Sequence, residues 1–356
     1  MKDLNQYSLY DLLSDERVVR AIQQEKQLND EEVEQLLYQI KERYRTRHLR
    51  SLKLWFYSIA AAITILLFSG VGLYLWQSAT SEPSYSLSTM AKLLPKSTDI
   101  QLILGSKRYL FEQDVDIQLK GTEAIVVEKK SGKTYTYLTD SHLKLNKLYT
   151  PKGKCSTITL GDGTKIWINS GTTFVFPTRF MGTNRLVNLN GEAYMTVAKN
   201  IVKPFIVHTS AFDVRVTGTR FNVIAYKEDS NMSVVLAEGG VQLASRDKKY
   251  LINMNPNEMA TLSNGRWNVD NVVADDYICW KDGYLLLSGV SLDDIFLRLS
   301  RHYNVNIQWD RKAANQRCSG KLVLFDDVDK IMTSLSSIFN IKYIRTNNNI
   351  RIILKP

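Results

Sequence analysis

The sequence predicts a single-pass membrane protein with a short all-α cytoplasmic stub, an exported all-β domain and a small α/β domain at its C-terminal end. Three observations lead to this fold class. Residues 54–76 form an apolar run without a charged side chain, short strand patterns alternate with turn residues over residues 100–275, and helical patterns begin after Trp280. Hydrophobic residues make up 44% of the chain and charged residues 23%, which is typical of globular proteins.

Residues 1–53 are predicted to be the helical stub. Asn29 and Glu32 have the spacing of a capping box, and apolar residues recur at helical intervals on both sides of it. So short a segment buries only a modest core, so we expect its apolar side chains to contact a partner protein; the alternative is a self-packed helical hairpin. The candidate contact residues are Leu9, Leu12, Leu13, Val18, Val19, Ile22, Val33, Leu36, Leu37 and Ile40.

Residues 54–76 are predicted to be a transmembrane helix, with a buried core helix as the alternative. As a helix, this run is about 34 Å long, enough to cross the hydrocarbon core of a bilayer. Loops rich in Lys and Arg stay in the cytoplasm, so we expect the N-terminus inside, the C-terminus in the periplasm and the chain in the inner membrane. Residues 77–99 are predicted to be a linker. The basic residues before the run are Lys41, Arg43, Arg45, Arg47, Arg50 and Lys53.

Residues 100–275 are predicted to form a β-rich domain that is antiparallel and either solenoid-like or sandwich-like. Turn residues separate the strand patterns at intervals of about ten residues, which favours an all-β fold. Gly161-Asp162-Gly163 and Asn169-Ser170-Gly171 are predicted turns. Outside the block around these turns, the predicted strands are residues 100–104, 116–119, 124–128, 185–189, 193–198, 205–209, 214–217, 221–226 and 233–237.

Residues 276–356 are predicted to form a small α/β domain. Apolar residues at helical spacing predict a helix that follows Ser291 as its N-cap and extends to Tyr303, and a second helix over residues 328–339. Short strand patterns alternate with these helices, and the last two form a hairpin around residues 347–349. Helices that alternate with short strands over so few residues indicate an α/β unit.

Charge and motif content exclude several function classes. The formal net charge is +10, but residues 1–53 contain equal numbers of acidic and basic side chains, so the excess lies in the part predicted to be exported. Residues 1–40 are acidic, so we expect no direct contact with nucleic acid. Neither the four histidines nor Cys155, Cys279 and Cys318 have metal-ligand spacing, and no phosphate-binding or nucleophile motif occurs. We therefore expect no cofactor, no metal ion and no ordinary enzyme activity.

Five motifs between residues 156 and 240 together resemble the FecR family of membrane-bound anti-sigma factors. Residues 280–287, WKDGYLLL, and the elements after them resemble the C-terminal domain of FecR-like proteins of Bacteroidota, which is itself similar to the short N-terminal domain of secretins and TonB-dependent receptors. The stub departs from the family pattern because it has no tryptophan. The five motifs, in chain order, are LGDGTKIWINSGT, the FPTRF of Phe176 to Phe180, LNGEAYMTV, KPFIV and VTGTRFNVIAY.

The resemblance implies two protein partners. The stub, residues 1–53, would bind an extracytoplasmic-function sigma factor in the cytoplasm. The exported domains would receive a signal from the N-terminal signalling domain of a TonB-dependent, SusC-like outer-membrane receptor, and the genes under control would serve glycan uptake. The alternative is an envelope scaffold or a component of a secretion machinery, because the C-terminal domain is similar to a secretin domain.

One reaction is conceivable, a self-cleavage between Gly218 and Thr219. The Thr219 hydroxyl would attack the Gly218 carbonyl and leave a hydrolysable ester, with His208 as a candidate base if the fold brings it close. Some FecR-like proteins are cut within this motif, so the resemblance favours the idea. The alternative is that the Gly-Thr pair serves only a tight crossing of strands.

Overall fold

The computed structural model describes residues 16–26, 29–35, 37–39, 97–139, 145–245, 251–309, 316–325 and 327–354. The chain divides into two compact units, Met1–Ser84 and Tyr85–Pro356. In the first unit, helix α1 spans Glu16–Lys26, and residues 30–35 and 37–39 are also helical.

The predicted capping box of the first unit is confirmed. The Asn29 side chain accepts a hydrogen bond from the Glu32 amide at 2.9 Å, and the Asn29 amide donates to the Glu32 carboxylate at 3.0 Å. Each side chain therefore pairs with the other residue's backbone N–H, which begins the second helical stretch.

The predicted fold class requires a correction. The structure is mostly β, with one large curled sheet and few helices. Within the described ranges, no helix is both long and apolar enough to span a bilayer. The predicted span, residues 54–76, and most of the predicted linker lie outside the described residues. The predicted single-pass membrane protein therefore finds no support among the described helices. The predicted domain boundaries and localisation remain predictions.

The curled sheet contains the first eighteen strands that the structure describes. Strands β1 to β18 are Ile100–Leu104, Lys107–Phe111, Val115–Lys120, Glu123–Glu128, Thr134–Leu138, Leu145–Thr150, Ser156–Thr159, Lys165–Ile168, Thr172–Pro177, Arg185–Thr196, Phe205–His208, Phe212–Val216, Arg220–Ala225, Asn231–Glu238, Val241–Ser245, Leu251–Met254, Glu258–Ser263 and Arg266–Asn271.

The sheet folds into two layers that share strand β10. The strand order is β2-β1-β6-β9-β10-β11-β12-β15-β16 in the first layer and β5-β4-β3-β7-β8-β10-β13-β14-β17-β18 in the second. Ring contacts join the layers at both ends, with 3.9 Å between the centroids of Tyr109 and Tyr137 and 5.1 Å between those of Phe212 and Trp267. Of the two architectures that the sequence left open, the layers correspond to the sandwich.

Two features of the sheet differ from the prediction. The pairs β3–β7 and β10–β11 are parallel, so the sheet is mixed rather than antiparallel. The two strands predicted at residues 185–189 and 193–198 are one continuous strand, β10, which passes from one layer to the other. Sequence alternation does not reveal this, because the side-chain pattern continues on both sides of the change of layer.

Gly191 lies where β10 changes layers. Its φ is +135°, and an added Cβ would lie 2.3 Å from the Thr172 hydroxyl oxygen and 2.7 Å from the Thr172 Cα. The Thr172 hydroxyl occupies this space and accepts a hydrogen bond from the Glu192 amide at 3.0 Å. Gly191 therefore permits a tight strand crossing that a side chain would block.

The C-terminal domain follows the sheet and has its own hydrophobic cluster. Strands β19 and β21 pair antiparallel, and β23 lies between β20 and β22. The predicted N-cap is confirmed, because the Ser291 side chain accepts a hydrogen bond from the Asp294 amide. The elements are helix α2 at Asp275–Ile278, a 3-10 turn at Cys279–Asp282, β19 at Tyr284–Ser291, α3 at Leu292–His302, β20 at Asn306–Trp309, β21 at Arg317–Val323, α4 at Val328–Ile338, β22 at Ile341–Thr346 and β23 at Asn349–Leu354.

Candidate functional site

A cleft of about 320 Å³ lies between the C-terminal domain and the second layer of the sheet. Strands β13, β14 and β17 contribute one wall, and β19 and helix α3 contribute the other. Both walls belong to the second compact unit.

The period of two along the strands explains which side chains reach this interface. On β10, Ala193 and Met195 belong to the core of the sandwich, whereas Tyr194 belongs to the hydrophobic cluster of the C-terminal domain. Successive side chains of a strand point to opposite faces, so Glu192 lies on the same face as Tyr194. The register places Trp167 of β8 and Asn222 of β13 on either side of Tyr194. These residues form a row across three strands that faces the C-terminal domain.

A buried polar network crosses the interface. The Trp280 indole N–H donates to the Asn222 side-chain oxygen at 3.2 Å, and the Asn222 amide donates to the Glu192 carboxylate at 3.0 Å. The other carboxylate oxygen of Glu192 accepts a hydrogen bond from the Asn169 amide at 2.8 Å. Asn222 is fully buried, and Glu192 is 7% exposed. A buried carboxylate requires such partners, so this network fixes where the C-terminal domain sits.

Aromatic side chains extend the same interface. The rings of Trp167 and Tyr194 are 5.3 Å apart, and both contact the hydrophobic cluster of the C-terminal domain. The Tyr194 hydroxyl accepts a hydrogen bond from the Arg220 Nε at 3.0 Å. Trp167 and Tyr194 therefore pack in the core beneath the C-terminal domain and not in the sandwich core.

Arg301 of helix α3 is a second connection between the domains. Its guanidinium forms an ion pair with Asp229, lies 3.8 Å from Glu228 and stacks 3.8 Å from the centroid of the Tyr226 ring. The Tyr226 hydroxyl donates to the Ser170 carbonyl at 2.8 Å, and burial raises the pKa of Tyr226 well above its ordinary value. Tyr226 therefore stays neutral and presents a fixed ring face to the Arg301 cation.

The end of helix α3 contacts the first part of the sheet domain. The Gly153 amide donates to the Arg301 carbonyl at 2.9 Å. Burial lowers the pKa of the neighbouring His302, although the charge of Asp114 acts in the opposite direction. His302 is therefore held in its neutral form at the edge of the cleft.

The residues predicted to bind a partner lie in the first unit. Val18, Val19 and Ile22 are on helix α1, and Val33 and Leu37 are in the two other helical stretches. Val19, Val33 and Leu37 are half-buried. Their role in binding remains a prediction. The other predicted contacts, Leu9, Leu12, Leu13, Leu36 and Ile40, lie outside the described residues.

The structure does not bring the proposed self-cleavage residues together. Gly218 has a φ of +153°, and an added Cβ would lie 2.8 Å from the Lys199 Cα, which accounts for the glycine by a close approach of two backbones. The Thr219 hydroxyl donates to the Gly240 carbonyl at 2.9 Å. His208 is paired with Asp213, at the far end of the β11–β12 hairpin from Gly218. The cleavage itself remains a prediction.

The part of the chain that the structure describes contains no group of three or more His, Cys, Asp or Glu side chains close enough to hold a metal ion. All three cysteines are free thiols. Burial raises the pKa of Cys155 to about 12, so its reactive thiolate form is scarce at neutral pH.

Comparisons with known proteins agree with this two-domain architecture. The family model described as FecR protein matches residues 146–242, and the model described as FecR, C-terminal, matches residues 284–353. The cleft lies between these two segments. None of the curated proteins matches the chain.

Two crystal structures of a proposed anti-sigma factor from Parabacteroides distasonis ATCC 8503, at 1.65 and 2.50 Å resolution, are similar to this chain. Each is 28% identical to it with a TM-score of 0.56, and the alignments cover 59% and 60% of this chain and 99% and 100% of the other. The similarity therefore extends over nearly the whole length of that solved chain. Both matches confirm the predicted resemblance to the FecR family; the Bacteroidota type remains a prediction.

The sequence analysis did not identify Glu192, Asn222, Asp229 and Arg301 as residues of a site. A signal was present for two of them, because Glu192 and Asn222 are polar residues within otherwise apolar strands. Placing them on one surface requires the register of β8, β10 and β13, which is set by distant parts of the chain.

Proposed function

We propose that this protein is an anti-sigma factor. The observation that carries the proposal is the similarity, at 28% identity, to a solved protein described as a proposed anti-sigma factor, of which 99% is covered. The two FecR family matches support the same class. The role is one of binding rather than catalysis.

We infer that the sigma factor belongs to the extracytoplasmic-function class and binds the helices of residues 1–53. Helix α1 carries the predicted contacts Val18, Val19 and Ile22 within about three turns that are rich in exposed charges. An amphipathic helix of this kind is suited to an apolar groove, and the acidic excess of residues 1–40 favours a groove with a basic rim.

We further propose that the C-terminal domain receives the signal from the N-terminal signalling domain of a TonB-dependent, SusC-like receptor, and that the controlled genes serve glycan uptake. Within the described residues, strand β22 forms ladder hydrogen bonds only with β23, so its other edge can accept an added strand. On β22, the Ile344 side chain is 50% exposed. The polar network around Asn222 and the Arg301 connection then transmit a displacement of the C-terminal domain to the sheet.

The test is a binding titration of the purified full chain with the sigma factor encoded beside it. Val19→Asp places a charge at a half-buried position of α1 and is expected to weaken binding at least tenfold. Gln24→Asp is the matched control, because it adds the same charge at an exposed position of the same helix.

Two outcomes would contradict the proposal: no binding by the unmodified chain, or an equal loss of affinity for both variants. The alternative function, an envelope scaffold or a secretion component, requires no affinity for a sigma factor, so the same titration separates the two.

A further inference from the structure

Three exposed apolar side chains lie in two loops of the sheet domain that a hydrogen bond joins. Ile201 and Val202 lie in the loop between β10 and β11 and are 72% and 93% exposed, and Met181 in the loop before β10 is 62% exposed. The Lys203 ammonium donates to the Phe180 carbonyl at 2.7 Å, which joins the two loops. We call Met181, Ile201 and Val202 the apolar tip.

Hydrogen bonds and an ion pair fix the loop between β10 and β11, which carries Ile201 and Val202. The buried Arg185 donates from Nε to the Lys203 carbonyl at 2.8 Å and from Nη1 to the Ala198 carbonyl at 2.9 Å. Its guanidinium also forms an ion pair with Asp162 at 2.7 Å. The Asn200 amide donates to the Thr217 carbonyl at 2.7 Å. Fixed contacts therefore hold Ile201 and Val202 in an exposed position, and their transfer from water into an apolar phase would be favourable.

The surroundings of the tip are cationic. Residues 178–184 and 197–204, which form the two loops, contain Arg179, Lys199 and Lys203 and no Asp or Glu. The nearby carboxylate of Asp162 is neutralised by Arg185. An apolar centre with a basic rim is complementary to a bilayer surface with anionic headgroups, into which apolar side chains insert while Lys and Arg meet the phosphates.

We propose that the apolar tip inserts into the surface of an anionic lipid bilayer. The tip consists of three side chains, whereas each partner in a standard protein interface buries roughly 800 Å², or about 20–30 residues. A bilayer needs no preformed pocket, so it can accept such a small projection. This inference does not depend on the proposed binding of a sigma factor.

The test uses a readout at the tip, because other apolar parts of the chain also adsorb to lipid. The full chain with Val202→Cys carries an environment-sensitive fluorophore at that position. Cys279 and Cys318 are buried and the pKa of Cys155 is raised to about 12, so the new thiol reacts preferentially. The labelled chain is titrated with vesicles of phosphatidylcholine alone, or mixed with phosphatidylglycerol, that contain a nitroxide-labelled quencher lipid.

We expect a blue shift and quenching with the anionic vesicles, at a lipid concentration at least tenfold below that needed with phosphatidylcholine alone. Adding Ile201→Ser should raise the lipid concentration at the midpoint of the blue shift about tenfold or more, because burial of one such side chain changes the partition coefficient by that factor. Leu138→Ser is the matched control, since Leu138 is also 72% exposed; it should shift the midpoint less than twofold.

Charge reversal tests the basic rim. Lys199→Glu should weaken binding to anionic vesicles about fivefold or more, whereas Lys107→Glu at an exposed position of β2 should not. A fluorophore that remains in a water-like environment at every lipid concentration overturns the proposal. A blue shift that needs no lipid and grows with protein concentration also overturns it, because a second copy of the chain then covers the tip.

Discussion

The hydrogen bond between Trp280 and Asn222 allows a quantitative test of the domain interface. Trp280→Phe removes the indole N–H that Asn222 accepts at 3.2 Å, and both side chains are buried. An unsatisfied buried acceptor costs about 1–3 kcal/mol, and the smaller ring adds a packing loss of similar size. We therefore expect Trp280→Phe to lower the free energy of unfolding by about 2–4 kcal/mol.

A double-mutant cycle separates the hydrogen bond from the packing loss. Asn222→Leu removes the acceptor and also one of the two amide donors to Glu192. In the Asn222→Leu background, Trp280→Phe no longer breaks a hydrogen bond, so its cost should fall to the packing loss alone. The expected coupling energy is about 1–2 kcal/mol, which corresponds to roughly a five- to thirtyfold change in the folding equilibrium.

The assay is urea unfolding of the full chain followed by circular dichroism, with the four proteins of the cycle measured side by side. Trp267→Phe is the matched control, because Trp267 packs against Phe212 within the sandwich. Its coupling to Asn222→Leu should stay below about 0.5 kcal/mol. A coupling for the Trp280 pair that is no larger than this control would refute the claim that the hydrogen bond fixes the C-terminal domain.

Two further predictions concern the strand crossing and the histidine at the cleft. Gly191→Ala should destabilise the fold by about 3–6 kcal/mol, because the added Cβ overlaps Thr172 and the residue must keep a φ of +135°. Gly182→Ala, at a φ of +74° with open space around it, should cost only about 1–2 kcal/mol in the same thermal unfolding experiment; equal losses would contradict the steric argument. Burial lowers the pKa of His302, although the charge of Asp114 acts to raise it. Below about pH 6.5, His302 is therefore protonated more in the unfolded chain than in the folded chain. The Tm of the unmodified chain should therefore fall as the pH falls from 7 to 5, and the Tm of His302→Gln should fall less over that interval. The same pH dependence of Tm in both proteins would contradict the assignment of this effect to His302.

Local signals predicted many elements correctly. The Asn29–Glu32 capping box, the Ser291 N-cap and the turn at Asn347, whose φ is +55°, all lie where the sequence places them. Each depends on residues within about four positions of one another, so its physics is complete in a short segment. The apolar run at residues 54–76 lies outside the described residues.

The sequence by itself indicated the resemblance to the FecR family and the β-rich and α/β character of its two segments. The register of β8, β10 and β13 places Trp167, Tyr194 and Asn222 on a second face, away from the sandwich core. Only the tertiary structure decided what covers that second face and that β10 crosses between layers at Gly191. The physical reason is that strand register and the docking of Trp280 on Asn222 join residues 58 positions apart, and no local pattern records contacts at that separation.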